Sequence, residues 1–344
     1  MIENMIRDWL HTVAPDRAAQ LILDKSAILV TDVGLRRSEN QDRVAALRVQ
    51  PLGRNIQPFI CFAVSDGMGG MKNGAECATL TLAALFSSLV QSNDVDSRSR
   101  LIQAAYRANK TVHEYALGKG GATLSAVLVE KSGAAHYVNV GDSRIYTVTR
   151  NTLKVERVTV DDTLKEAFGG EGGELVQFIG IGTPLLPRSG KLPSDADGVL
   201  LTSDGAHFIE PSLLAQIIER AADPIRAAER LVALSRWLGG PDNASVSAFR
   251  LPDIAKYLVN SASSPATIWS GSIQLQIAFE PQEVSSNKQS AKPRSKVDIY
   301  NVDLKPKAER SSDRRKPKKK EKHQAPAQLE IKISPDDDSD ASNS

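Results

Sequence analysis

Three times in this 344-residue chain an apolar strand-like run meets an aspartate beside a small or turn-forming residue. These are FAVSDG with Asp66, LLTSDG with Asp204 and GGPDNASV with Asp242. A fourth carboxylate, Asp42, lies in GLRRSENQDRV just after the first apolar run. Taken singly, Asp-Gly is a common hairpin signal and each instance reads as a turn. As a set they suggest more, because strand ends are rigid and can gather at one edge of a sheet stack. Ionised carboxylates gathered there repel each other unless cations neutralise them. Hard oxygen ligands suit Mg²⁺ or Mn²⁺ rather than zinc. Two such ions about 3.5–4 Å apart lower the pKa of a bridging water and hold it in line with a phosphorus atom. A phosphate substrate also needs a positive clamp, and Arg36 or Arg37 stands just upstream of Asp42 with a guanidinium fork suited to phosphoryl oxygens.

The elements that must position these residues are legible as changes of period. AILVTDVG reads as a strand, and FICFAVSDG (59–67) as a strand apolar on both faces, hence sandwiched. Residues 74–90 carry Leu82, Leu85, Phe86 and Leu89 at helical spacing. Residues 98–115 carry Leu101, Ala105, Ala108, Val112 and Tyr115 on a second helical stripe. The period then becomes two: ATLSAVLVE, AHYVNVG and RIYTVTR are short strands separated by turn signals, an antiparallel meander. After the Gly-rich FGGEGGELVQFIGIG comes the strand GVLLTSDG, then helices over 211–220 and 223–238. The second of these has Asp223 as N-cap, Pro224 at the first helical position and Gly239-Gly240 past its end. DNASVSAFR closes the series as a strand. This order predicts an α+β fold, antiparallel sheets packed together with helices outside.

The series TDVGLRRSENQD, FAVSDGMGGMKNG, GGATLSAVL, YVNVGDSRIYTV, VTVDDTL, LLTSDG and PDNASV resembles the metal-dependent protein phosphatase family of the 2C type, in its compact bacterial form. The resemblance covers about residues 27–250, and DGMGG with GDSR at these separations is specific. It implies a four-layer αββα sandwich, two antiparallel sheets flanked by helices, and Mn²⁺- or Mg²⁺-dependent hydrolysis of phosphoserine and phosphothreonine in proteins. Residue by residue, it assigns Asp42, Asp66, Asp204 and Asp242, with the backbone carbonyl of Gly67, to two core metals. It selects Arg37 over Arg36 as the phosphate grip, five residues before the first aspartate of the series. Asp142 of Gly-Asp-Ser-Arg aligns with a ligand of a weaker third metal; its bland reading is a hairpin turn with Arg144 paired internally. Departures from the pattern are Gln41 where Glu is common, Met68 where animal members have His, and Phe208 where SDGxxD would supply an acid. The last leaves Asp142 without its usual companion. The segment 161–182 matches the family's flap but is short and Gly-rich, which predicts mobility. The rival reading is a catalytically weak phosphoprotein-binding or scaffold protein on the same fold.

Bulk properties narrow the class. Hydrophobic content of 41% predicts that part of the chain is not packed. No apolar run approaches the roughly 18–20 residues of a membrane helix, and the N-terminus lacks a continuous apolar stretch of the signal-peptide kind. A cytoplasmic location is the expectation. Two cysteines and five scattered histidines argue against a disulfide or zinc framework. VSDGMGGMKNG has Asp where a dinucleotide fingerprint needs Gly, and GGEGG lacks the Gly-Lys-Ser/Thr of a P-loop. The net charge of +2 hides an asymmetry: residues 288–322 hold 14 Lys/Arg against 5 Asp/Glu, leaving 29 against 36 in the rest. A phosphatase domain over 1–252 is expected, then a mostly disordered, basic then acidic tail over 253–344. Its RRKPKKKEK run, with no interleaved aromatics, weakens a nucleic-acid reading. Short alternating islands, SIQLQIAFE, VDIYNVDL and QLEIKIS, punctuate the tail, and the last is a candidate strand for a protein partner's sheet edge. Phosphorylated proteins, products of a serine/threonine kinase, are the expected substrates.

Overall fold

The computed structural model of the chain describes residues 2–50, 57–68, 73–92, 96–149, 154–169, 172–260, 266–278 and 299–303. The chain opens with α1 (Ile2–Val13), β1 (Arg17–Ile22), β2 (Ala27–Asp32), β3 (Asp42–Val49), β4 (Phe59–Asp66), α2 (Gly74–Gln91) and α3 (Ser97–Ala116). It continues through β5 (Leu124–Glu130), β6 (Ala135–Val140), β7 (Arg144–Thr149), β8 (Val155–Arg157), α4 (Leu164–Phe168), β9 (Arg188–Lys191) and β10 (Ala196–Thr202). The remainder is α5 (Asp204–His207), α6 (Pro211–Glu219), α7 (Pro224–Trp237), β11 (Ala244–Arg250), α8 (Leu251–Asn260), β12 (Ala266–Ser270), β13 (Ile273–Ile277) and β14 (Ile299–Asp303).

All named strand pairs are antiparallel and form two sheets, β1-β2-β11-β10-β7-β8 and β14-β13-β12-β3-β4-β5-β6-β9. One apolar layer lies between the eight-stranded sheet and α1, α2 and α3, and another between the six-stranded sheet and α5, α6 and α7. The layer between the sheets includes Val44, Phe62, Val64, Ile145, Leu201 and Phe249, with Phe62 stacked on Phe249 at 4.0 Å. The expected αββα sandwich is therefore the observed one. β4 is buried along both faces, as its unbroken apolar run required. Asp96 caps α3 by accepting from the amides of Arg98 and Ser99, and Asp223 caps α7 by accepting from Arg226, ahead of Pro224.

Two features depart from the local pattern. α2 is buried on nearly every side, because α1 lays Ile6, Trp9 and Leu10 over the face that α3 and the sheet leave free. The boundary expected at residue 252 is also corrected. α8 follows β11 directly, and β12 pairs with β3 from Ala266↔Val49 to Ser270↔Ala45. SIQLQIAFE supplies β13 and VDIYNVDL supplies β14, each adding one strand outward. The reason is that every residue of β3 is buried, so its second edge needs a neighbour. QLEIKIS lies outside the described residues. A chain ended at residue 252 loses Ile254, Leu258, Ile268, Trp269 and Leu275 from the core. At about 1.5–3 kcal/mol each, the loss is comparable with the whole stability of a typical domain, roughly 5–15 kcal/mol. Such a truncation is expected to lose its cooperative thermal transition, as followed by circular dichroism.

Candidate active site

Strand register brings the acidic residues to one end of the sandwich. Asp42 opens β3 directly opposite Asp66, which closes β4. β10 ends at Thr202, opposite Arg144 at the start of β7, so Ser203-Asp204 and Asp142 leave their strands side by side. Asp242 and Asn243 immediately precede β11, whose neighbours are β2 and β10. The two Ser-Asp-Gly segments need their glycines for close backbone approach: a Cβ on Gly67 would lie 2.2 Å from the Gly74 carbonyl oxygen, and one on Gly205 2.1 Å from that of Asn243.

A cavity of about 250 Å³ opens at this end. Arg37, Asp66, Gly67, Asp142, Asp204 and Asp242 line it, with Gln41, Met68 and Thr123 completing the protein-body side. Gly173, Glu174 and Leu175 line it from the flap. Of the predicted residues only Asp42 is off the wall; it lies just beneath, 2% exposed. Phe208 is half-exposed, does not line the cavity and adds no acid. The Arg37 Nη2 donates to Asp242 Oδ2 at 2.6 Å, and that hydrogen bond holds the guanidinium pKa above its usual range.

The carboxylates show the strain of being together. Burial pushes Asp42 up to about 7, against the pull of the hydrogen bond from Ser203 and the nearby Ser245 hydroxyl, while Asp204 and Asp242 push it further. Burial, then Asp42 and Asp204, carries Asp66 well above the carboxylate range. Asp204 rises through burial and the charge of Asp242, and Asp142 rises to about 7 through burial and Asp204. The Oδ1 atoms of Asp42 and Asp204 are buried without a hydrogen-bond partner. Buried acceptors of this kind are costly, and a hard cation is the partner that would offset the cost. Among the described residues, no three Asp, Glu, His or Cys side chains are closed around a point as an ion cage. Asp242 leans on Arg37 and Asp42 on Ser203 instead. The donor chemistry fits a divalent cation; the side chains as they stand are not drawn in around one.

Around this core, sequence reasoning missed three contributors. Asn243 accepts from the Gln41 amide through Oδ1 and donates through Nδ2 to the Val33 and Glu39 carbonyls, fixing the Arg37 loop. Ser203 donates to Asp42 Oδ2 at 2.7 Å. Glu174 enters from the flap, a long-range approach with no sequence signal. The internal pairing considered for Arg144 is present: it binds Asp161 through Nε and Nη2, and Arg157 joins at 2.8 Å. Asp142 lines the cavity all the same. The flap is better held than its glycines suggested. The Leu164 amide donates to the Glu174 carbonyl, and that of Val176 to the Asp162 carbonyl. Asn109 and His113 grip Gly180 and Gly182.

The profile of the protein phosphatase 2C family matches residues 36–239, and the chain belongs to that family. It is thus a serine/threonine protein phosphatase by class, as the motif series predicted. It is similar to the PPM Ser-Thr phosphatase MsPP of Mycobacterium smegmatis, solved with cacodylate: 28% identity, TM-score 0.53, covering 65% of this chain and 97% of that one. Its fold is shared with Stp1 of Staphylococcus aureus at 21% identity and TM-score 0.57, covering 65% and 94%. The catalytic domain of PstP, solved with two manganese ions, is alike at 24% and 0.54, covering 68% and 99%. No curated protein sequence matches the chain. No helix among the described residues is long and apolar enough to cross a membrane.

His207, three residues past Asp204, carries a stability prediction. It is buried, with its Nδ1 2.7 Å from the Thr202 hydroxyl, and burial pushes its pKa well below the imidazole range, with Arg144 and Arg157 adding. The unfolded chain therefore takes up a proton below about pH 6.5 that the folded chain refuses, and stability falls as pH drops. The wild type is expected to lose up to about 1.4 kcal/mol per pH unit more than His207→Gln between roughly pH 6.5 and 5. Urea denaturation at each pH measures the difference.

Proposed function

We propose that the protein hydrolyses phosphoserine and phosphothreonine in phosphorylated proteins, products of a serine/threonine kinase, at a dinuclear Mn²⁺ or Mg²⁺ centre. The observation that carries this reading is the pair of unpartnered buried carboxylate oxygens on Asp42 and Asp204, beside Asp66 and Asp242 and under Arg37. Asp66, Asp204, Asp242 and the Gly67 carbonyl would hold the ions from the wall, with Asp42 contributing charge from beneath. Bound there, such ions would neutralise the carboxylates and would supply a water of lowered pKa as the nucleophile for phosphorus. The two manganese ions in PstP support the choice of metal. Asp142 is the candidate for a third ion, and Phe208 leaves it less acidic company than SDGxxD would.

The chain's own residues set the rest. Arg37 sits at the rim with 42% of its side chain exposed, so its fork can turn from Asp242 to a phosphoryl group. Releasing Asp242 in the same motion frees an oxygen for the centre. Gln41 can hydrogen-bond water at the wall but adds no charge, which lowers the site's total negative charge relative to a glutamate. Asp161 and Asp162 restrain the flap over the cavity through Arg144, Arg157 and Arg188. A cytoplasmic enzyme is the setting this reading implies.

Turnover of a phosphothreonine peptide is expected to require Mn²⁺ or Mg²⁺ and to stop on chelation. Asp66→Ala and Asp242→Ala are each expected to lower kcat/KM by at least about a hundredfold. Retention of wild-type turnover in both would sink the assignment. Arg37→Ala should act mainly on KM for phosphopeptide, by about tenfold or more. Gln41, Phe208 and the short flap favour a second reading, a catalytically weak phosphoprotein binder. Phosphopeptide binding in saturating Mn²⁺ without release of phosphate would select it.

A further inference from the structure

Ser203 occupies the N-cap position of α5, where a serine hydroxyl ordinarily accepts from an amide of the first helical turn. Here its side chain makes no capping bond. The Ser203 Oγ instead accepts from the Ser245 amide at 2.9 Å and donates to Asp42 Oδ2 at 2.7 Å. The Ser203 amide meanwhile donates to the Ser245 carbonyl at 3.0 Å. The ladder between β10 and β11 thus continues for one more residue with a hydroxyl in place of a carbonyl acceptor. A serine hydroxyl has one proton, and with its amide contact already an acceptance, that proton is committed to Asp42.

The arrangement does not end at Ser203. The Ser245 hydroxyl is 2.8 Å from Thr31 Oγ1, which accepts from Asn40 Nδ2 at 2.8 Å, while Asn40 Oδ1 accepts from the Asp42 amide. Ser203, Ser245, Thr31, Asn40 and Asp42 are all buried, so these bonds meet no competition from water. They tie Asp42 to the ends of β2, β10 and β11 by its amide and by one carboxylate oxygen. The other, Oδ1, is left without a partner.

We propose that Ser203 is a positioning residue for the metal centre: by engaging Asp42 Oδ2 it sets the carboxylate's orientation and reserves Oδ1 for the cation or its water shell. The inference rests on the divalent-cation reading above and adds to it a residue that touches neither substrate nor the reacting atoms. A purely structural serine would serve the Ser245 amide alone, and its loss would change stability without changing affinity for metal.

Mn²⁺ titration of the full chain by calorimetry separates these roles, with aryl-phosphate turnover as a second readout. Ser203→Ala is expected to bind Mn²⁺ about tenfold more weakly and to raise the Mn²⁺ needed for half-maximal turnover by a similar factor. Ser203→Cys, which keeps a weak donor and a nearly matched volume, should fall between it and the wild type, and covers the case in which the alanine variant folds poorly. Because Ser203 acts through Asp42, Asp42→Asn combined with Ser203→Ala should bind Mn²⁺ no more weakly than Asp42→Asn alone. Unchanged Mn²⁺ affinity in Ser203→Ala, or losses that add in the double variant, would overturn the proposal while leaving the metal centre standing. A wild type that binds no Mn²⁺ would overturn both.

Discussion

Like charge held in a confined, partly buried space is the constraint on which the rest of this structure turns. Asp42, Asp66, Asp142, Asp204 and Asp242 lie at one end of a β-sandwich, and burial first, then the charge of neighbouring aspartates, raises the pKa values of Asp42, Asp66, Asp142 and Asp204 together. A chain left to relax would scatter them. What prevents it is that each sits at or within two residues of the end of a strand in a two-sheet core, where moving one carboxylate means moving a packed strand. The close backbone contacts at Gly67 and Gly205 add to this, because they pin the turns that follow Asp66 and Asp204.

Around that charge the protein places graded compensation. Arg37 meets Asp242 at the exposed rim, where a mobile guanidinium can trade one anion for another. Deeper in, Ser203 serves Asp42 with a neutral hydroxyl, which orients a carboxylate without cancelling it. Farther from the cavity, Asp161 is fully engaged by Arg144 and Arg157, and Asp162 by Arg188 and the Gly141 amide. Those pairs are structural, and they hold the flap that carries Glu174. A gradient results, from neutralised acids under the flap to unpartnered oxygens at the centre.

The scaffold extends beyond what the family's profile spans. α1 seals the outer face of α2, and α8 with β12 and β13 completes both the inter-sheet core and the edge of β3. β3 begins at Asp42, so the strand that presents this residue is flanked on one side by β4 with Asp66 and on the other by the C-terminal strands. Support for the site thus comes from residues more than 200 positions away in sequence.

The sequence by itself determined the parts that depend on neighbours within a few residues. The buried character of β4, the Asp223-Pro224 start of α7 and the aspartates at Asp66 and Asp204, each followed by an obligatory glycine, are all local, and all were legible. Asp142 beside the site followed from the resemblance, since its motif spacing carries the family's geometry. Only the tertiary structure decided that Asp42 lies beneath the wall, that Glu174 lines the cavity from the flap, and that SIQLQIAFE and VDIYNVDL supply strands. It also decided that Ser203, which reads as an ordinary cap, spends its proton on a carboxylate 161 residues away. The physical reason is common to all of these. Which face of an element is buried, and which partner a polar atom finds there, depends on packing between segments that are remote in the chain, and short-range spacing does not encode it.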